Sequence, residues 1–335
     1  MEICYLLAFP DSDNGKARPT EPFKGLSKDA PYFQPVDIDL VALGEETFLF
    51  EGYAVSVVRH RYDDCAQMIE CRYQISDPFA APVLQTRTNL QNVLQSRYIP
   101  EQHRRSGLFE EYWILLVKDS SPAPDPWIEK NALGLANFIR SQRDVFDTDE
   151  ILGSRARYSA DELTLVDWEG AVIIAPQADF RSDIALLKIG NYQLLRYRML
   201  DQSIEDLLDK ISESFFQKSR RPRATRGLIR QLAEHRLEIM LDFERAEQSL
   251  LLIGDWYTAK LYEIIHNELY LNDWKQTVRD KLDRLENIVQ TIKDNLAVSW
   301  ENLLDRIQLA LWIVMLVGYL YLYFLDAGWI IISPK

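Results

Sequence analysis

Residues 307–325 read Ile307-Gln-Leu-Ala-Leu-Trp-Ile-Val-Met-Leu-Val-Gly-Tyr-Leu-Tyr-Leu-Tyr-Phe-Leu325, with Arg306 and Asp326 as the nearest charges. Gln308 is the only strongly polar member. As a helix the run is about 28 Å long, close to the hydrocarbon thickness of a bilayer. Its aliphatic residues and Phe324 favour a membrane by roughly 3–6 kcal/mol together, before the cost of Gln308 and Gly318. The competing reading is a core helix of a soluble domain, but such helices seldom run this far without a charge. The run therefore predicts a transmembrane helix, with the lipid bilayer as the partner of Ile307–Leu325.

Moving upstream, Leu271, Trp274, Val278, Leu282, Leu285, Val289, Ile292, Leu296, Trp300 and Leu303 recur at steps of three and four. That heptad-like stripe predicts a long helix over 271–303, about 50 Å, running into the membrane segment with no Pro or Gly between. Its outer face carries pairs such as Asp280–Arg284 that support a helix. Two arrangements satisfy the stripe: self-association through 271–303 as a coiled-coil stalk, or a helical hairpin packed on residues 183–269 of the same chain. In that earlier stretch Ser182-Asp183 predicts a helix start, and Ile184, Leu187, Leu194, Leu195, Met199, Ile204, Leu207, Leu208, Ile211 and Phe215 its apolar face. Gly190 is a candidate bend. A further helix is expected from about Arg226 on, through Trp256, Leu261, Ile264 and Leu269.

Between these helices lie Lys218, Arg220, Arg221, Arg223, Arg226 and Arg230, with no acid among residues 218–230. One reading is a contact for anionic lipid headgroups or phosphate; the other is a solvated interhelix loop. The chain as a whole is acidic, 335 residues with net charge −13, which argues against specific DNA binding. A mean hydropathy of −0.21 fits a soluble body with one apolar segment rather than a polytopic transporter.

The first 180 residues mix strand and helix signals. Residues 1–9 are a continuous apolar run, expected as a buried strand rather than a secretory signal. Residues 10–46 read as a long loop, and 47–60 and 66–75 as strands. Helical spacing covers 82–97, and Tyr112–Val117 is a compact strand. A Pro-rich turn over 121–126 opens another helix, and 162–176 form a hairpin around Trp168-Glu-Gly170. Strands, hairpins and helices interleaved in this way predict an α+β domain.

Motifs with chemistry are scarce. Asp11–Gly15 fails as a calcium loop, because Pro22 stands where a bidentate Glu is needed. His60, Asp64, Cys65 and Cys71 are ligand types without zinc spacing, so a solvated turn with half-buried thiols is expected. Three cysteines, Cys4, Cys65 and Cys71, fit a reducing compartment. His103, His235 and His266 stand apart from one another, and there is no phosphate loop, nucleophile elbow or HExxH. The expectation is a non-enzymatic protein with no catalytic, cofactor or metal site.

Asp255-Trp-Tyr-Thr-Ala-Lys-Leu-Tyr262, Leu269-Tyr-Leu271, Lys281-Leu-Asp-Arg-Leu-Glu-Asn-Ile288 and Asp305-Arg306 before a terminal apolar helix resemble the "required for meiotic nuclear division" family. The likeness covers mainly residues 160–325. It implies an α+β body, a helical pair and one C-terminal transmembrane helix in an oligomeric, membrane-anchored protein. Mitochondrial members are linked to organellar translation, which would make the ribosome a partner. The layout also resembles CorA-type magnesium channels, but the Gly-Met-Asn signature and a second span are missing.

The sequence thus predicts an α+β soluble domain over 1–180, a long-helix hairpin or coiled-coil stalk over 181–305, one transmembrane helix over 306–326 and a short tail over 327–335. The function expected is a scaffold or tether anchored at its C-terminus, with the body on the cytosolic or matrix side. The alternative is an ion-conducting or ion-sensing membrane protein.

Overall fold

Nine strands form one sheet in the order β2-β3-β4-β5-β1-β6-β9-β8-β7 in the computed structural model. The structure describes residues 1–11, 21–23, 36–118, 123–140, 147–177, 179–217, 234, 237, 239–241, 243 and 256–326. The strands are β1 (Glu2–Pro10), β2 (Glu21–Phe23), β3 (Val36–Phe50), β4 (Tyr53–Tyr62), β5 (Ala66–Gln74), β6 (Glu110–Val117), β7 (Arg155–Arg157), β8 (Leu163–Val166) and β9 (Gly170–Ile174). Strand β1 pairs antiparallel with both β5 and β6. A strand inside a sheet covered on both faces needs apolar side chains at odd and even positions alike. Residues 3–9 meet that need, and each is at most 2% exposed.

Helices α1 (Ala81–Tyr98), α2 (Glu101–Ser106), α3 (Pro124–Arg140) and α4 (Thr148–Ile151) fall between strands. On one face of the sheet, Ile3, Tyr5, Leu7, Ile69, Cys71, Trp113 and Leu115 pack with Leu90 and Leu94 of α1 and Leu135 and Phe138 of α3. Strands β6 and β9 are parallel, and the crossover between them contains α3. The other pairings are antiparallel.

Two stretches of sequence behave differently from expectation. Residues 36–46, expected as loop, belong to β3, and the expected strand 47–60 is broken by a hairpin turn at Glu51-Gly52. Both turn residues have positive φ, 48° and 88°, the twist that matches a two-residue hairpin. The turn is tied down by Glu51, whose carboxylate accepts from Thr86 at 2.6 Å and Asn89 at 2.8 Å on α1.

Helix α5 (Arg181–Gln217) supplies the other face of the sheet. It starts at Arg181, and Asp183 lies inside its first turn. The Asp183 carboxylate accepts from Thr164 of β8 at 2.5 Å and from Tyr257 at 2.8 Å, joining three elements. Residues 182–200 are buried apart from Lys188, Arg198 and Met199, which are intermediate. Helix α6 (Trp256–Glu268) covers the side of α5 at Gly190, where an added Cβ would lie 2.4 Å from Ile265 Cγ2. Gly190 thus marks a close helix approach.

Helix α7 (Leu271–Asp326) carries both the stripe and the apolar run. Leu271, Val278, Leu285 and Val289 are buried within the single chain, while Arg279, Asp280, Asp283 and Arg284 are exposed. The stripe positions Ile292, Leu296, Trp300 and Leu303 lie outside the residues whose side chains are described. Among the described residues one helical window, Leu304–Tyr323, is long and apolar enough to cross a membrane, and none of it is buried.

By contacts the chain divides into two units. The first comprises residues 1–209 and 238–281, so the sheet and the start of α5, α6 and the start of α7 belong together. The second comprises 210–237 and 282–335.

Candidate functional site

At the turn ends of the sheet domain, Arg140, Glu150, Trp168, Glu169, Tyr270 and Trp274 surround an open concavity of about 480 Å³. Each wall has a local cause. Arg140 is the last residue of α3, and Glu150 sits in α4, whose N-cap Asp147 accepts from the backbone N–H of Asp149 at 3.1 Å and Glu150 at 3.0 Å. Trp168 and Glu169 form the tip of the β8–β9 hairpin. The tip is clamped from below by the Tyr112 hydroxyl, which donates to the carbonyls of Asp167 at 2.7 Å and Gly170 at 2.9 Å. Gly170 lies so close to β6 that a Cβ there would be 2.7 Å from the Trp113 carbonyl oxygen.

Tyr270 connects α6 to α7 with φ of 52°. A left-handed conformation at a tyrosine costs about 1–2 kcal/mol, where Gly or Asn would cost little. Its ring is 55% exposed and meets Trp168, 44% exposed, edge to face at 5.8 Å. Two large aromatic rings therefore stand in the open, fixed by a hairpin on one side and a helix junction on the other.

The charges are unequal. Asp167 is buried and holds Arg140 through Nη2–Oδ1 at 2.9 Å and Nε–Oδ2 at 3.2 Å. These hydrogen bonds raise the Arg140 pKa, against desolvation, with the charges of Asp167 and Glu150 adding to the rise. Glu150 is a second carboxylate near the guanidinium, at 3.8 Å. Burial and then the Asp167 charge push the Glu169 pKa upward, while Arg140 and Arg87 pull the other way. One lining guanidinium thus faces three carboxylates. Arg87 stacks on Trp113 and Phe138, 4.4 and 4.7 Å from the ring centres, and burial pushes its pKa down to about 10.

The residues singled out in the sequence lie elsewhere. Lys218, Arg220, Arg221, Arg223, Arg226 and Arg230 are outside the described residues, as is the Asp-rich turn after Asp11. Asp11 itself is described, and its carboxylate accepts from Arg61 and Gln67. Asp63, Asp64 and Cys65 form the turn of the β4–β5 hairpin, and Asp63 accepts from Tyr192 of α5 at 2.5 Å. The Cys65 thiol lies 3.3 Å from the Tyr192 hydroxyl and 3.6 Å from Arg196. Cys4 and Cys71 are buried, and burial pushes the Cys71 thiol up to about 12. Among the described residues no group of three or more His, Cys, Asp or Glu side chains could hold a metal ion.

Trp168 and Tyr270 had no sequence signal as a pair, being about a hundred residues apart. Tyr270 did interrupt two helical patterns, and that interruption was the available hint.

Residues 27–181 match a family model described as "Uncharacterized protein MJ0711, N-terminal domain". The uncharacterized protein MJ0711 of Methanocaldococcus jannaschii is 23% identical over 214 residues, covering 63% of this chain and 66% of that protein. The alignment thus spans just under two thirds of the relative. No solved structure matches. The family region takes in the hairpin tip with Trp168 and Glu169 but ends before Tyr270 and Trp274.

Proposed function

We propose that this chain is a membrane-anchored, non-enzymatic tether whose apolar helix sits in a bilayer and whose sheet domain receives a partner. The observation that carries the reading is the window Leu304–Tyr323, free of charge from Ile307 onward and with none of it buried. Individual side chains there are 46–78% exposed, a continuous band far larger than a soluble surface normally tolerates. Hydrocarbon is the solvent in which such a surface is stable. Lys293 and Arg306, on the N-terminal side of the charge-free run from Ile307, favour placing the body on the cytosolic or matrix side. The basic residues of 218–230 have the chemistry to contact anionic lipid on that same side.

Burial of Leu271, Val278, Leu285 and Val289 within one copy favours an intrachain helical packing over self-association through those positions. The concavity of Trp168 and Tyr270 is the surface of the sheet domain we assign to partner contact, because exposed aromatics in a fixed frame are typical anchors of recognition.

Alkaline carbonate extraction of cells expressing the full-length chain tests the anchor. Retention in the membrane pellet is expected, together with release of a Val314→Arg, Leu316→Arg double variant. Full release of the unsubstituted chain would refute the anchored reading.

A further inference from the structure

We propose that the concavity is a receptor for an organic cation, a guanidinium or alkylammonium group as presented by an arginine or lysine side chain of a protein partner. The proposal rests on the assignment of this surface to partner contact and adds its chemistry. Three aromatic side chains, Trp168, Tyr270 and Trp274, line the space, and the first two meet edge to face at 5.8 Å. Aromatic faces attract cations through their quadrupole, tryptophan most strongly. Glu150 and Glu169 add two carboxylates to the lining.

Arg140 is the lining residue that would favour an anion. Its guanidinium is engaged on two nitrogens by Asp167, at 2.9 and 3.2 Å, with Glu150 at 3.8 Å, so its charge is more than matched locally. An anionic ligand would displace none of these contacts and would meet Glu169. A neutral apolar ligand would have to desolvate both Glu150 and Glu169 without an ionic partner. A flat or tetrahedral cation on a flexible stem can stack on the rings and reach the carboxylates together. Tyr270 is held in a left-handed conformation that directs a large aromatic ring where a glycine would relieve the backbone.

The test uses the full-length protein in detergent micelles, with the indole N–H resonances of Trp168 and Trp274 followed by NMR. Three probes are titrated: N-propylguanidinium, its neutral isostere N-propylurea, and propylphosphonate. The guanidinium is expected to shift both resonances saturably, with the urea and phosphonate at least about tenfold weaker. A Glu150→Gln, Glu169→Gln variant should weaken the guanidinium about three- to tenfold, as expected for partly exposed charge pairs. Tyr270→Asn, which suits the left-handed backbone and preserves folding, should also weaken it. Equal binding of N-propylurea, or affinity unchanged in the double Gln variant, would overturn the cation assignment while leaving the concavity a site of other chemistry. Preference for propylphosphonate would also overturn it, with Arg140 as the reading group. Silence to all three probes would overturn both the cation assignment and the concavity as a binding place, and would leave the anchor untouched.

Discussion

Residues 181–200 of α5 and residues 304–323 of α7 are helical stretches of similar length that reverse the usual relation between polarity and burial. The first contains Asp183, Lys188, Asn191, Gln193, Arg196 and Arg198, yet most of it is buried. The second is apolar apart from Asp305, Arg306 and Gln308 at its start, yet exposed along its length. The first is tolerated because its polar groups are matched. Asp183 takes Thr164 and Tyr257, Lys188 pairs with Glu70, and Gln193 accepts from Tyr262 at 2.7 Å. Asn191 donates to the Leu187 carbonyl, Arg196 donates to Tyr192, and Arg198 pairs with Glu110. Satisfied polar groups can be buried at modest cost, whereas unsatisfied ones cannot. Among the described residues the second has no comparable covering, so a nonaqueous surrounding is what the proposed function assigns to it. Hydropathy alone does not account for the burial of the first; the partners of its side chains do.

Charge in the apolar window should produce the largest effect. Arginine at both Val314 and Leu316 costs about 2.5–3.5 kcal/mol each at the centre of a bilayer. The expected result is loss of the membrane-retained pool, with the melting temperature of the sheet domain unchanged. A fall in that melting temperature would mean the window is packed on protein. Next, Leu187→Ala in α5 should destabilise the sheet domain by about 2–5 kcal/mol in chemical denaturation, as for other fully buried leucines. Leu311→Ala in the window should leave it within about 0.5 kcal/mol.

Gly190→Ala sharpens the comparison at one atom. The new methyl would meet Ile265 Cγ2 at 2.4 Å, and overpacking of this kind costs about 1–3 kcal/mol. Placed in an Ile265→Ala background, the same substitution should cost much less, and equal costs in both backgrounds would show that the α5–α6 approach is not the cause. The smallest effect concerns Glu110, which burial raises to about 7 despite the Arg198 partner on α5. A carboxyl whose folded pKa lies above its unfolded value holds its proton more tightly when folded. Its contribution to stability is therefore greatest below about pH 4.5 and is lost as pH rises toward about 7. Glu110→Gln should accordingly look more favourable, relative to the unsubstituted chain, at pH 8 than at pH 5 in thermal melts. A difference on the order of 1 kcal/mol is expected.

Much of the sheet domain was legible in the sequence where a single element carried its own signal. The apolar run at Ile3–Phe9, the strand Glu110–Val117, the hairpin around Trp168 and the helix opening at the Pro-rich turn all lie where pattern placed them. The turn at Glu51-Gly52 was missed because Thr47–Phe50 and Tyr53–Val58 are both β-rich and read as one strand. Strand residues 36–46 were missed because Asp37, Asp39, Glu45 and Glu46 dilute the apolar alternation. A break at residue 180 follows from the end of strand signals. Contacts, however, join 181–209 to the sheet through Asp183, Lys188 and Tyr192, whose partners lie far away in sequence. The concavity was not legible for the same reason. Arg140, Trp168 and Tyr270 each have an ordinary local role, and only the packing of three turns brings them together.

Photolabelling of the full-length chain in lipid vesicles with a bilayer-partitioned diazirine tests the central claim most directly. Mass spectrometry of the labelled peptides should place the adducts within residues 304–323 and leave residues 181–200 unlabelled. Adducts distributed over the sheet domain, or none within 304–323, would contradict the account.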